Sequence, residues 1–469
     1  METETRKEEE EEEEFCWVAD VAPKIRISAQ KIKVLATPAD FYSKMKELIA
    51  ASKRRIVLAS LYLGTGQLET QLIKGIEETT ANAGPDFKVR LLLDYCRGTR
   101  GTPNSCHLLR PLLSHARTHD VKVHLYHTPK LRGWLRWLLP QRLNEIVGLQ
   151  HMKLYIFDDT LLISGANLSD SYFTDRQDRY ILLEDCARLA DFYDRIVDAV
   201  SSCSFALHPD GRLEVEPRCP SHPFLGKEKE YCDSLRERVM SVVEESGLES
   251  AASSSETSED TVVYPLIQMG PMGVDIENYV ISRALSSQAQ NRVLSLASGY
   301  FNLTDTYSSA ILSRAKYSVE ALTASPLANG FFGSHGLSYY VPAMYSCVAK
   351  EFLEQVLQMS QSDRIRMFEY FRRTWTFHAK GLWLSKTAQP QTTATFIGST
   401  NFGYRSVHRD LEAQVLIVTK NAELQRRLFE EKHNLFGWGN LIEMSTFRRP
   451  DHHIPLWLRL INRFVRNFF

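Results

Sequence analysis

No stretch of the 469-residue sequence approaches the roughly 18 uninterrupted apolar positions that a membrane-spanning helix needs, so no span is expected. The eight cysteines (Cys16, Cys96, Cys106, Cys186, Cys203, Cys219, Cys232 and Cys347) contain no C-x-x-C pair and no zinc-type spacing. They read as reduced thiols, and no metal is expected. Neither a secretory h-region nor an Arg-rich transit segment opens the chain. Residues 1–14 instead hold nine acids and only Arg6 and Lys7 as bases, and read as a disordered acidic tail. They mask a mild asymmetry. The whole chain has 56 bases against 57 acids, but without the tail 54 bases face 48 acids, a balance of about +6. That suits anionic substrates or an anionic membrane surface and is thin for a nucleic-acid groove, so no nucleic-acid partner is expected.

What is present is a chain written twice. At this length two domains are expected, and 43% hydrophobic residues suffice to bury their cores. A basic turn, a buried apolar strand and an amphipathic helix open the first half in KRRIVLASLYLGTGQLETQLIKGI (53–76). QNRVLSLASGYFNLTDTYSSAIL (290–312) repeats the plan, and a second apolar strand follows each, VRLLLDY (89–95) and YSVEALTAS (317–325). The Ser/Glu-rich stretch SGLESAASSSETSED lies between them. The expected division is a first lobe over 15–240, a linker over 241–262, a second lobe over 263–450 and an amphipathic tail over 451–469. Alternating strands and helices predict an α/β fold of two pseudo-symmetric α/β/α sandwich lobes with the site at their interface.

Each half ends on the same sentence. In QHMKLYIFDDTLLISGANLSDSYFTDRQDRYILLE (150–184), His151 and Lys153 stand two apart on an extended run, and Asp158 follows. Gly165, Asn167 and Asp178 come next. In FHAKGLWLSKTAQPQTTATFIGSTNFGYRSVHRDLEAQVLIV (377–418) the counterparts are His378, Lys380, Gly398, Asn401 and Glu412. Both asparagine-to-acid intervals are 11 residues. These residue types suit phosphodiester chemistry. Two ammoniums offset the charge that repels a nucleophile, and one imidazole attacks phosphorus while the other moves protons. An acid behind each ring fixes its tautomer, for which Asp178 and Glu412 are the candidates, while the asparagines donate to non-bridging oxygens. A lone H-x-K is common in structural roles; two copies at matched spacing are not. His151 is expected to be the nucleophile and His378 the acid/base, because only the first motif is complete.

The pattern resembles the H-x-K-x4-D motif of the phospholipase D superfamily. The first copy matches at His151, Lys153 and Asp158, whereas Ser385 stands where the second Asp would be. At a closer level, ASLYLGTG (59–66), LLDYCRGTRG (92–101), YPLIQM (264–269), ASGYFNLT (297–304) and ASPLANGFFG (324–333) resemble the eukaryotic CDP-diacylglycerol–glycerol-3-phosphate 3-phosphatidyltransferases. That resemblance implies phosphatidyl transfer from CDP-diacylglycerol to glycerol 3-phosphate with release of CMP, toward phosphatidylglycerol and cardiolipin. It also implies a phospho-histidine intermediate, no metal or other cofactor, and a mitochondrial address, peripheral on the inner membrane. Hydrolysis, as by a phospholipase or nuclease, is the alternative. A homo-oligomer is compatible with the sequence.

An anionic acceptor needs fixed positive charge, and Arg97, Arg100, Arg176, Arg179 and Arg405 are the candidates, each with a surface or salt-bridged role as its alternative. Membrane contact is expected through HTPKLRGWLRWLLPQRLNE (127–145) and IPLWLRLINRFVRNFF (454–469), where Trp, Leu and Phe alternate with basic residues. Two amphipathic helices docked on the core are the competing reading. The GTG turn of 59–66 lacks the G-x-x-x-x-G-K-[ST] frame, so ATP is not expected there.

Overall fold

The computed structural model describes residues 14–140, 144–252, 259–387 and 391–468. Six strands repeat in each half. In the first they are β1 (Arg55–Ala59), β2 (Lys88–Asp94), β3 (Asp120–Tyr126), β4 (Leu154–Phe157), β5 (Thr160–Ser164) and β6 (Tyr180–Leu183). In the second they are β7 (Arg292–Ser298), β8 (Ser318–Ala324), β9 (Ile365–Tyr370), β10 (Lys380–Lys386), β11 (Thr392–Gly398) and β12 (Leu411–Thr419). The spatial order β3-β2-β1-β4-β5-β6 recurs as β9-β8-β7-β10-β11-β12. In both, the first three strands are parallel and the last three antiparallel. The duplication read in the sequence is a duplication of topology.

Helices α1 (Gln67–Asn82), α2 (Gly133–Leu138), α3 (Ala187–Ser201), α4 (Glu228–Ala252), α5 (Val341–Gln358), α6 (Ala422–Phe436) and α7 (Leu456–Val465) lie around these sheets. The strands are apolar on both faces because both faces are covered. One continuous core joins the lobes, with Leu154, Ile156, Tyr193, Val197, Tyr264, Leu416 and Phe396 all buried in it. A second core, around Phe41, Leu72, Leu91 and Tyr155, fills the outer side of the first sheet.

Two boundaries differ from expectation. The stretch 241–262 is not wholly a linker, since α4 runs to Ala252 and a strand begins at Thr261. Val239, Val242, Val243 and Ser246 are buried at helical spacing, and the helix propagates past them through its Ser- and Glu-rich end. Residues 253–258 lie outside the described residues. The division at 240 is also crossed near the N-terminus, because Ile25–Ile27 pairs with Thr261–Met269 at the edge of the second sheet. Of the acidic tail, residues 1–13 lie outside the described residues, while Glu14 forms an ion pair with Arg292.

Candidate active site

The two H-x-K segments meet at the lobe interface, just ahead of β4 and β10, and each is held by the other lobe. The backbone N–H of His151 donates to Leu411 O at 2.9 Å, and Leu411 N–H donates to Leu149 O at 2.8 Å. Likewise His378 N–H donates to Gln177 O at 2.8 Å, and Thr376 N–H donates to Asp175 O at 3.0 Å. Parallel pairing of 376–377 with 176–177, and the parallel bridge of Gln150 with Leu411, extend this clamp. Each histidine therefore lies beside the acid that follows its backbone partner, Glu412 after Leu411 and Asp178 after Gln177. His151 Nδ1 faces Glu412 at 2.9 and 3.0 Å, and His378 Nδ1 faces Asp178 at 2.6 Å. The acids work in trans between lobes, each serving the other motif's imidazole. Sequence spacing offered the two acids without saying which imidazole each serves.

All these groups are buried. Burial, with Lys153 next in effect, holds His151 well below the ordinary histidine range. Burial, with Lys380 and Arg176, does the same at His378. Burial raises Asp178 to about 6 and also raises Glu412. Burial, then the neighbouring Lys380, lowers Lys153 strongly, and burial brings Lys380 down to about 8. Two lysines, two carboxylates and two neutral imidazoles thus share one dry space. Neutral His378 donates Nδ1–H to Asp178, leaving Nε2 as an acceptor. Lys153 Nζ donates to His151 O at 2.7 Å, and Lys380 Nζ lies 2.9 and 3.2 Å from the two ring nitrogens of His378.

The rings differ at Nε2. Tyr172 OH stands 3.2 Å from His378 Nε2 and itself accepts from Asn167 Nδ2 at 3.0 Å, so its own proton points to His378. His151 Nε2 has no hydrogen-bond partner among the described residues. The oxygens Oδ1 of Asn167 and Asn401 are buried without partners, leaving both amides unsaturated at the site. Gly165 is required by crowding: a Cβ there would lie 2.8 Å from both Asp178 Oδ1 and Lys380 Cδ.

Asp158, expected to be catalytic, is not in this space. It follows His151 by seven residues of extended chain, roughly 23 Å. Its carboxylate accepts from the backbone N–H groups of Lys53, Arg54 and Arg55 at 2.7–3.0 Å. It anchors the turn into β1. Ser385 occupies the matching position in β10, bonded to Thr392 at 2.9 Å.

The five arginines separate. Arg179 is fully buried, bonded to Glu431 at 2.8 Å through both Nε and Nη2, to Phe396 O at 2.7 Å, and stacked 3.8 Å over Trp383. It is a structural ion pair, not a substrate ligand. Arg179→Met should leave Glu431 buried and unpaired, lowering stability by about 3–5 kcal/mol in denaturant unfolding while the KM values of folded enzyme hold. Arg176 lies 4.7 Å over Tyr172, beside His378. Arg97, Arg100 and Arg405 gather near His151, where Arg97 N–H and Gln150 N–H share the Asp94 carboxylate. Sequence reading missed Tyr172 and Tyr300, whose ring lies 5.5 Å from His378, because a tyrosine outside the repeated motif carries no mark of a site. The GTG turn is filled by the Glu69 carboxylate, which accepts from Asp170 N–H at 2.7 Å, placing an anion where a nucleotide phosphate would have to sit.

Among solved structures, phosphatidylserine synthase from Haemophilus influenzae is similar over 98% of both chains, with a TM-score of 0.72 at 19% identity. The class defined by fold is thus the two-lobed α/β architecture shared with that synthase. No family model matches the chain. A chicken (Gallus gallus) protein named mitochondrial CDP-diacylglycerol–glycerol-3-phosphate 3-phosphatidyltransferase is 43% identical, covering 97% of this chain and 86% of its own length. The human (Homo sapiens) protein of that name is 42% identical with the same coverage. A Saccharomyces pastorianus relative is 32% identical over 92% of this chain. This chain belongs to the CDP-diacylglycerol–glycerol-3-phosphate 3-phosphatidyltransferase family.

Proposed function

We propose that this chain transfers the phosphatidyl group of CDP-diacylglycerol to glycerol 3-phosphate, giving phosphatidylglycerophosphate and CMP. The family relationship over 97% of the chain, with both histidine–acid pairs in place, carries this reading. His151 Nε2 attacks the lipid-side phosphorus, and the bond from that phosphorus to the CMP oxygen breaks. The leaving group is a phosphate with a second pKa of about 6, so it needs little acid help. Neutral His378 then accepts the proton of the glycerol 3-phosphate hydroxyl at Nε2 as that oxygen attacks phosphorus. The P–N bond breaks, His151 is regenerated, and His378 releases its proton to water. Lys153 and Lys380 stabilise the charge developing on the non-bridging oxygens in both steps. Asp178 and Glu412 hold the imidazoles with Nε2 inward.

The lipid donor brings membrane contact with it. On α2, Trp134, Trp137 and Leu138 are exposed, while Leu131 just before it is buried. On α7, Leu458 packs with Met344, Cys347 and Ile454, while Leu456, Trp457, Leu460 and Ile461 face outward. The second stretch is therefore both docked on α5 and apolar outside. Phe332, Leu337 and Tyr339 add to that outer face, and Trp457 packs on Tyr340 at 4.9 Å. Phe331 lies 5.8 Å from Tyr300, so this surface leads to the His378 side of the site. Arg142 and Phe469 lie outside the described residues, and the side chains of Arg463, Phe464 and Val465 do as well. No helix among the described residues is long and apolar enough to cross a membrane. Lipid contact is assigned to these faces, on the mitochondrial inner membrane, in line with the location in the relatives' names.

One assay tests the reading. Purified protein is mixed with vesicles containing CDP-diacylglycerol, with and without glycerol 3-phosphate, and CMP and lipid product are followed. Acceptor-dependent CMP release with stoichiometric phosphatidylglycerophosphate is expected. Release indifferent to acceptor would make the protein a hydrolase. Cosedimentation of a Trp134→Ser/Trp137→Ser variant with the same vesicles should fall severalfold, and full retention would remove α2 from the membrane face.

A further inference from the structure

The arginine cluster beside His151 already holds an anion of its own. Glu145 forms an ion pair with Arg100 and lies 3.5 Å from Arg97 Nη1. Its backbone carbonyl accepts from Arg405 Nη2 at 3.0 Å, and the next carbonyl, Ile146 O, accepts from Arg409 at 3.0 Å. The main chain is thus clamped by the second lobe, and Gly148 fits against Arg409 O only because it lacks a Cβ. The Glu145 carboxylate, by contrast, is a side chain that keeps 18% exposure to solvent.

Charge and hydrogen bonding in the cluster are incomplete with that carboxylate bound. Arg97, Arg100 and Arg405 bring three positive charges, against Glu145 and Asp410, which pairs with Arg405 at 3.2 Å, while burial pushes the nearby Asp94 up to about 8 and leaves it mostly neutral at pH 7. Arg97 Nε and Arg405 Nε are buried and have no hydrogen-bond partner among the described residues. A carboxylate has two oxygens and one charge. A phosphate monoester offers three terminal oxygens and a charge of about −1.5 to −2, which matches both deficits. The cluster adjoins the site through Arg405, whose charge acts on His151, and through Asp94, whose carboxylate accepts from the backbone N–H groups of Arg97 and Gln150, the residue before His151.

We propose that Glu145 is an internal competitor for a phosphate monoester that binds to Arg97, Arg100 and Arg405, and that its carboxylate must swing away for the acceptor to bind. This rests on the phosphatidyltransferase reading for the identity of the ligand, glycerol 3-phosphate or the product CMP. The occupant changes without movement of the clamped backbone.

Glu145→Gln keeps the side-chain shape and removes the charge. In that variant the KM for glycerol 3-phosphate should fall roughly three- to tenfold, the worth of one mostly buried ion pair lost to competition. The KM for CDP-diacylglycerol serves as the reference and should not follow. Calorimetric binding of inorganic phosphate, without lipid or turnover, should tighten by a similar factor. If instead the inhibition constant of CMP falls while the glycerol 3-phosphate KM stays, the cluster takes the nucleotide's phosphate and the competitor role stands. If neither moves and phosphate binding is unaltered, the proposal is overturned. Arg100→Gln supplies the converse, weaker phosphate binding, in a protein whose Glu145 remains. Absence of transfer by the wild type would sink the activity reading, whereas the phosphate titration would still decide this one.

Discussion

Changing His151 to alanine is expected to remove phosphatidyl transfer by a factor of at least about 10⁴, and changing His378 to alanine by a similar factor, since groups that act as a unit are each indispensable. The two losses should differ in kind. His151 has its Nε2 unpartnered and its Nδ1 held by Glu412, the arrangement of a ring ready to attack. His378 Nε2 is met by Tyr172 OH at 3.2 Å, the arrangement of a ring that exchanges protons with a hydroxyl. With CDP-diacylglycerol labelled in the phosphatidyl group, rapid quenching should trap a covalent lipid–protein adduct in the His378→Ala variant. Removal of the proton from the acceptor's attacking hydroxyl is blocked there, while attack by His151 is not. The His151→Ala variant should yield no adduct and no burst of CMP. An adduct on His378 in a variant lacking His151 would reverse the assignment. This experiment separates the rings where a simple activity assay cannot, because the two half-sites are nearly symmetric.

Much of this was legible because duplication leaves a mark that composition does not. Apolar strands, the two H-x-K copies and the equal asparagine-to-acid spacing recur along the chain, and the strand order recurs with them. The pairing of acid with histidine was not legible. Spacing along one chain does not say which histidine each acid meets, and only the interlobe backbone bonds at 149–151 and 175–177 show the exchange. Motif membership misassigned Asp158, because an invariant-looking carboxylate that gathers three backbone N–H groups has the same letter as a catalytic one. Arg179 was misread for a related reason. Its partner Glu431 lies 252 residues away, so nothing local distinguishes a buried ion pair from a phosphate ligand. The helical end of α4 was hidden by its Ser and Glu residues, because tertiary contacts one turn earlier support it.

Exchange of acids between lobes leads to the second large effect. Asp178→Asn and Glu412→Gln keep volume but remove the charge that orients each ring. An amide at 178 can donate to Nδ1 of His378, which would move the ring proton to Nε2 and close the nitrogen that must accept from the acceptor hydroxyl. A loss of about 10²–10⁴ in kcat is expected, the range found for general acid–base groups. The pH dependence supplies the sign. Burial raises Asp178 to about 6, so the carboxylate is present above that pH and lost as pH falls through it. Burial lowers Lys380 to about 8, so its ammonium is present below that pH and lost as pH rises through it. The wild-type kcat/KM should form a bell with limbs near these values, and Asp178→Asn should flatten the acid limb while leaving the alkaline one. Because Asp178 belongs to the first lobe and acts on a histidine of the second, its loss should stop the proton step governed by His378 and leave formation of the adduct on His151 comparatively fast. Accumulated adduct in Asp178→Asn, with none in Glu412→Gln, would therefore report the crossed pairing directly. The opposite pattern would mean that each acid serves the motif of its own lobe.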